Sequence, residues 1–183
     1  MAQTEQKNQN VKKQFEELQS LLERAMALQT SMVLFEWDDE TLAPKGATEH
    51  TARVIGSLSE QYQEILASMR FKELLDVCQK AEKENAGVFD EVQSAILREA
   101  AEEQERLSCI PPEEYRAYAE LTARATGIWT RAREKNDFAS FVPVLKEIIS
   151  YQKKFAAYRA KPGQKLYDVM LDTYEKGFNM EML

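Results

Sequence analysis

From Val11 onward, apolar positions recur every three or four residues. Val11, Phe15, Leu18, Leu22 and Ala25 form one stripe, with Leu21, Leu28, Met32 and Phe35 beside it. That period belongs to an α-helix, and a stripe so wide predicts burial on two sides. The helix is expected to reach about Trp37 and to give way over residues 38–44, where Pro44 and Gly46 break the pattern. Val54, Leu58, Tyr62, Ile65 and Met69 mark a second helix. Phe71, Leu74, Leu75, Cys78 and Ala81 mark a third, ending near Asn85 and Gly87. A fourth, over about residues 88–107, carries the narrower stripe Val92, Ile96, Ala100 and Leu107, with Glu99, Glu102, Glu103, Glu105 and Arg106 on a solvated face.

Pro111 and Pro112 stop that helix and open the next, since proline is tolerated in a first turn whose N–H groups lack helical partners. Glu113 and Glu114 then meet the positive end of the helix dipole. The fifth helix has the cleanest period: Tyr115, Tyr118, Thr122, Ala125, Trp129 and Ala132, an aromatic stripe that reads as core. Phe141, Val144, Leu145, Ile148, Ile149 and Phe155 form the sixth. Pro143 falls in its first turn if Ser140 is the cap, and a kink is expected if Asp137 caps instead. Tyr167, Met170, Leu171 and Tyr174 make a short seventh helix closed by Gly177, after which Asn179 reads as the N-cap of another. With no alternating strand pattern and no repeat, the expected architecture is all-α. It comprises about seven helices in antiparallel hairpins, as a single helical domain over residues 1–183. Ending just inside a new helix start, the chain reads as the N-terminal part of a longer polypeptide.

Composition narrows the function. Among 183 residues, 24 are basic and 31 acidic, a net charge of −7, which argues against nucleic acid or an anionic membrane as partner. No apolar run approaches the roughly 18 residues of a membrane span, and residues 1–10 are polar rather than signal-like. Two cysteines, Cys78 and Cys109, fall far short of a disulfide scaffold and suit a reducing cytoplasm. Cys78 lies on an apolar stripe and reads as a small buried hydrophobe.

Candidate chemistry is sparse. Zinc catalysis needs three protein ligands, commonly two histidines four apart on a helix, and a Ser/His/Asp or Cys/His system also needs a histidine. Only His50 is present, between Glu49 and Thr51, where an exposed or hydrogen-bonded role is expected. The six glycines are too dispersed for a phosphate loop. Glu36, Asp38, Asp39 and Glu40 form the one cluster whose charge suits a cation. It lacks the ligand alternation and central glycine of a calcium loop, so capping and surface ion pairs are the expected roles.

Three segments carry a resemblance. Leu34-Phe-Glu-Trp37-Asp38-Asp-Glu-Thr41-Leu-Ala-Pro44-Lys-Gly46-Ala47, with Arg53 and Leu58 following, is similar to the N-terminal region of the Taq-type metallocarboxypeptidases. Trp129, Ala132, Arg133, Asn136, Asp137, Phe138, Phe141, Pro143 and Leu145 match that family's Trp-x-x-Ala-Arg-x-x-Asn-Asp-Phe-x-x-Phe-x-Pro-x-Leu stretch. Tyr167, Asp168, Leu171, Asp172, Tyr174, Glu175 and Gly177 resemble its Tyr-Asp-x-Leu-Leu-Asp-x-Tyr-Glu-x-Gly segment. Ala43 and Lys176 depart from the family's Met and Pro at those places.

The resemblance implies a mostly helical, dimeric exopeptidase that removes single residues from peptide C-termini with a divalent metal, zinc or cobalt. Its His-Glu-x-x-His centre lies beyond the matched region, so no catalytic, cofactor or metal residue is assigned here. The chain is then expected to form a wall of the substrate groove and to be inactive alone. Its expected partners are the catalytic remainder of the polypeptide and a second copy of itself. Trp37, Trp129, Tyr167 and Tyr174 would be core or wall aromatics, while Arg53 and Arg133 are candidates to pair with Asp38 or Asp137 and fix the loops. A free-standing interaction module or a degenerate paralogue without catalysis is the alternative.

Overall fold

The computed structural model describes residues 2–44 and 46–183, with side chains described for Gln6 and from Asn8 onward except Lys45. Lys45, within the first motif, therefore lies outside the described residues. The fold is all-α: α1 (Ala2–Thr41), α2 (Thr48–Leu66), α3 (Met69–Glu84), α4 (Glu91–Ser108), α5 (Pro112–Glu134), α6 (Phe138–Arg159), α7 (Leu166–Tyr174) and a closing 3-10 turn (Met180–Met182). Among the described residues, seven α-helices follow in the order the apolar periodicity predicts. The chain divides into two compact units, one of Met1–Leu34 with Leu58–Ser108 and the other of Phe35–Ser57 with Cys109–Leu183.

The first unit is built on Phe15, Leu18, Leu66, Phe71, Leu74, Cys78, Leu97 and Leu107, all but sealed from solvent. Each such aliphatic or aromatic side chain contributes about 1.5–3 kcal/mol by leaving water. Helices α3 and α4 pack together, and both starts are capped. The Ser68 hydroxyl accepts from Phe71 N–H at 3.1 Å. Asp90 and Gln93 exchange side-chain to backbone bonds at 2.8 and 3.1 Å, a reciprocal capping box. The cap at Asp90 corrects the expected α4 stripe: Val92 falls in the first turn and is 69 % exposed, while Leu97, Ala100 and Leu107 are buried. Phe89, just before the helix, packs instead on Phe15 with ring centroids 4.9 Å apart. Inside this unit the fully buried Gln63 donates from Nε2 to the Leu107 carbonyl at 3.1 Å.

In the second unit, α5 and α6 run antiparallel, shown by cross-helix pairs that climb one helix as they descend the other. Trp129 meets Phe141 at 5.1 Å between ring centroids, Tyr118 accepts from Gln152 Nε2, and Lys154 donates to Glu114 at 2.6 Å. Leu121, Ala125 and Val144 form the core of the hairpin, packed by Ile128, Phe141, Ile148 and Tyr151. Helix α7 packs on α6. The first part of α2 lies close against α5: a Cβ on Gly56 would stand 2.3 Å from Glu120 Cγ, so only glycine fits unless Glu120 moves.

The expectation that α1 ends near Trp37 is corrected. The helix runs to Thr41, whose hydroxyl donates to the Trp37 carbonyl at 2.6 Å, and the chain turns only where Leu42 and Ala43 N–H groups close on the Asp38 carbonyl. Its wide apolar stripe is also buried less than expected, with Phe35 40 % exposed.

Candidate functional site

Each of the three motifs forms a corner in the second unit. At the first, Ala47 N–H donates to the Pro44 carbonyl at 2.8 Å, and the Ala47 carbonyl then accepts from His50 and Thr51, opening α2. At the second, the chain leaves α5 through Asn136, whose φ of 52° lies in the left-handed region. Asp137 N–H reaches back to the Ala132 carbonyl at 2.8 Å and Asn136 N–H to that of Arg133 at 3.1 Å, the Schellman pattern. Asp137 then caps α6 by accepting from Ser140 N–H at 3.2 Å. Of the two caps open from sequence, Asp137 is the one used. Pro143 thus lies inside α6, where it offers no N–H to the carbonyl four residues back. At the third corner, Asp172 Oδ1 accepts from Gly177 N–H at 2.8 Å, with Gly177 at φ 81°, and Asp168 Oδ1 accepts from Met180 N–H at 2.9 Å. Glu175 caps α7 through its backbone N–H to the Leu171 carbonyl.

These carboxylates therefore shape backbone. The expected ion pairs of Arg53 and Arg133 with Asp38 or Asp137 are not formed among the described residues. Asp137 is committed to its helix cap, and Arg53 falls on the exposed side of α2, away from the buried Thr51, Ala52 and Ile55. The aromatic residues stand at the surface. Trp37 is 56 % exposed, Tyr167 55 % and Tyr174 81 %. Trp129 is 43 % exposed, which corrects its core reading: the stripe that sinks into α5's interface is Leu121, Ala125 and Ala132.

A cleft of about 250 Å³ opens in the same unit at the end of α1. Glu36, Asp39 and Glu40 share one helical face there, facing Thr48, Thr51, Ala52 and Ile55 of α2 and Thr122, Ala123 and Thr126 of α5. Burial, then the neighbouring Glu40 charge, raises the Glu36 carboxyl above its ordinary range. Asp38, the fourth member of the acidic cluster, does not line this cleft. A helix ending at Trp37 would leave Asp39 and Glu40 off the face of Glu36, and only the continuation of α1 to Thr41 brings the three together at the cleft. His50 is exposed, and Cys78 is fully buried, its thiol pushed up to about 11 by desolvation. Both cysteines are free thiols.

The family model described as Carboxypeptidase Taq (M32) metallopeptidase matches residues 17–183. The chain belongs to that family. Carboxypeptidase 1 of Bacillus subtilis is 34 % identical over 163 residues, which is 89 % of this chain and 32 % of that protein. Thermostable carboxypeptidase 1 of Pyrococcus furiosus is 31 % identical, covering 84 % of this chain and 30 % of its own length. The BsuCP crystal structure superposes with a TM-score of 0.86 at 32 % identity over 92 % of this chain and 33 % of that one. The chain thus spans about a third of the length of the M32 relatives it matches, and the sequence resemblance to the Taq-type enzymes holds along nearly all of it.

An M32 enzyme implies a divalent metal. Among the described residues no three His, Cys, Asp or Glu side chains are grouped to hold one, so this part of the M32 fold does not fit the metal and no catalytic step is assigned to it. No helix among the described residues is long and apolar enough to cross a membrane.

Proposed function

We propose that this chain forms a helical wall of the substrate groove in an M32 metallocarboxypeptidase that removes single residues from peptide C-termini. In this reading the zinc or cobalt ion and the hydrolytic groups come from the other two thirds of the polypeptide. The observation that carries it is the surface of the second unit: Trp37, Trp129, Tyr167 and Tyr174, all in the M32 motifs, are substantially exposed. Large aromatic side chains left exposed on a small domain mark surface that another polypeptide or a peptide covers. The chain alone is inactive, works in the cytoplasm where its two thiols stay reduced, and associates as a dimer through apolar surface.

The reading frame beyond Leu183 supplies the test. A frame continuing to a His-Glu-x-x-His helix supports the proposal, because two histidines four apart with a general-base glutamate supply what this chain lacks. A stop codon directly after Leu183 overturns it and leaves a free-standing interaction module or a degenerate paralogue.

A further inference from the structure

We propose that Met32 is a redox-responsive modification site, at which oxidation of the thioether by a peroxide opens the contact that ties α1 to α2 through Ser59. This inference is independent of the groove-wall reading.

The contact departs from the habit of the other helical hydroxyls. Ser31, Thr41, Thr130 and Thr173 donate to the carbonyl four residues back in their own helix. Ser59, only 5 % exposed, instead spends its hydroxyl on Met32 Sδ, 3.0 Å away on another helix. A thioether sulfur is a weak acceptor, so a desolvated O–H is committed to a poor partner. A sulfoxide oxygen at the same sulfur is a much stronger one.

That oxygen does not fit the present geometry. An O–H···O bond alone spans about 2.7 Å, which leaves no room for an S–O bond within the 3.0 Å between Met32 Sδ and Ser59 Oγ. The sulfur must withdraw, and a close-packed interface passes such a displacement to its helices.

Position makes the displacement matter. Met32 lies two residues before α1 leaves the first unit after Leu34, and Ser59 one residue after α2 enters it at Leu58. Met32 is half-buried, open in part to a small oxidant yet packed enough for a polar oxygen to disturb. Met26, Met69 and Met182 are 63, 72 and 62 % exposed, so a sulfoxide there meets solvent and disturbs little packing.

The step is a two-electron oxygen transfer. A sulfur lone pair attacks the peroxide, the S–O bond forms as the O–O bond breaks, and hydrogen peroxide leaves as water. Ser59 holds part of that lone-pair density and therefore slows the attack.

Graded hydrogen peroxide treatment of the 183-residue chain tests this, with each methionine followed by peptide mass spectrometry and amide exchange followed over residues 28–35 and 55–62. Met26, Met69 and Met182 should oxidise first without changing exchange. Exchange over both segments should then rise by about fivefold, the loss of one hydrogen bond to a local opening, in step with Met32 sulfoxide, while α5 and α6 keep their protection. Treatment with both methionine sulfoxide reductases should restore the original exchange.

Met32→Leu, nearly equal in volume, should show native exchange before peroxide and no rise after it. In Ser59→Ala, Met32 should oxidise about twofold to fivefold faster, since the donor no longer occupies the sulfur. The Ser59→Ala rate keeps the proposal testable if Met32→Leu does not fold. Met32 untouched until the chain unfolds, exchange that follows another methionine, a Met32→Leu variant that responds like the native chain, or an unchanged rate in Ser59→Ala would overturn the proposal.

Discussion

The Asp168 carboxylate accepts a hydrogen bond at 2.9 Å from the backbone N–H of Met180, twelve residues further along the chain. One side chain in the first turn of α7 thereby holds the start of the closing 3-10 turn, while Asp172, one helical turn on, holds Gly177. The two aspartates of this M32 segment thus hold backbone in place. Asp168→Ala should cost about 1–2 kcal/mol, the loss of a charge-assisted bond at a partly exposed site. Amide exchange at Met180 should accelerate well beyond that global change, with protection in α5 and α6 following global stability alone. Unchanged exchange at Met180 would show that the contact carries no structural weight.

Asn136 is the one described non-glycine residue with positive φ, at the Schellman turn between α5 and α6. Asn136→Gly should be neutral or slightly stabilising, because glycine adopts that region without steric cost. Asn136→Val should destabilise by about 1–2 kcal/mol, since a β-branched side chain crowds the left-handed backbone. Urea unfolding midpoints for the two variants, moving in different directions or by clearly different amounts, check this.

Gln63 is fully buried and satisfies the Leu107 carbonyl near the end of α4. Gln63→Ala combines a cavity with a stranded carbonyl, for an expected loss of about 2–4 kcal/mol. Chemical denaturation of the variant measures it, and a loss below about 0.5 kcal/mol contradicts the assigned role.

Cys78 gives a pH-dependent readout. Burial raises its thiol from 9.0 to about 11, so as pH climbs through that window the unfolded chain releases a proton that the native chain retains. Stability from this group is intact below about 9 and falls as pH rises toward 11. At pH 8 a thiol reagent should modify Cys109 first, with Cys78 reacting only on unfolding, since the thiolate is the nucleophile and Cys78 is sealed. Thiol counting before and after adding urea checks both statements.

The helices were legible in the sequence where proline, glycine and apolar period agree, as at Pro112 for the start of α5. What escaped has physical causes. Ser140 and Asp137 are both good caps, and only the tertiary path out of the Asn136 turn selects Asp137. Trp129 keeps the period of a core residue, but period records which face of a helix is apolar and not what covers it. Val92 belongs to the same lesson: the reciprocal Asp90–Gln93 cap sets the phase of α4 and turns that side chain outward. The cleft was invisible because it needs α1 to stay helical through Glu40 and brings together residues as far apart in sequence as Glu36 and Thr126.

The exposed Trp37, Trp129 and Tyr174 also predict self-association of the isolated chain. Sedimentation equilibrium should show a concentration-dependent dimer, and a monomer at every concentration would contradict a large uncovered apolar face.

Metal content and peptidase activity of the purified 183-residue chain test the central claim most directly. After incubation with Zn²⁺ or Co²⁺ and desalting, the account predicts no stoichiometric metal and no release of C-terminal residues from an unblocked peptide, in keeping with the single, exposed His50. One tightly held ion per chain together with turnover would contradict it.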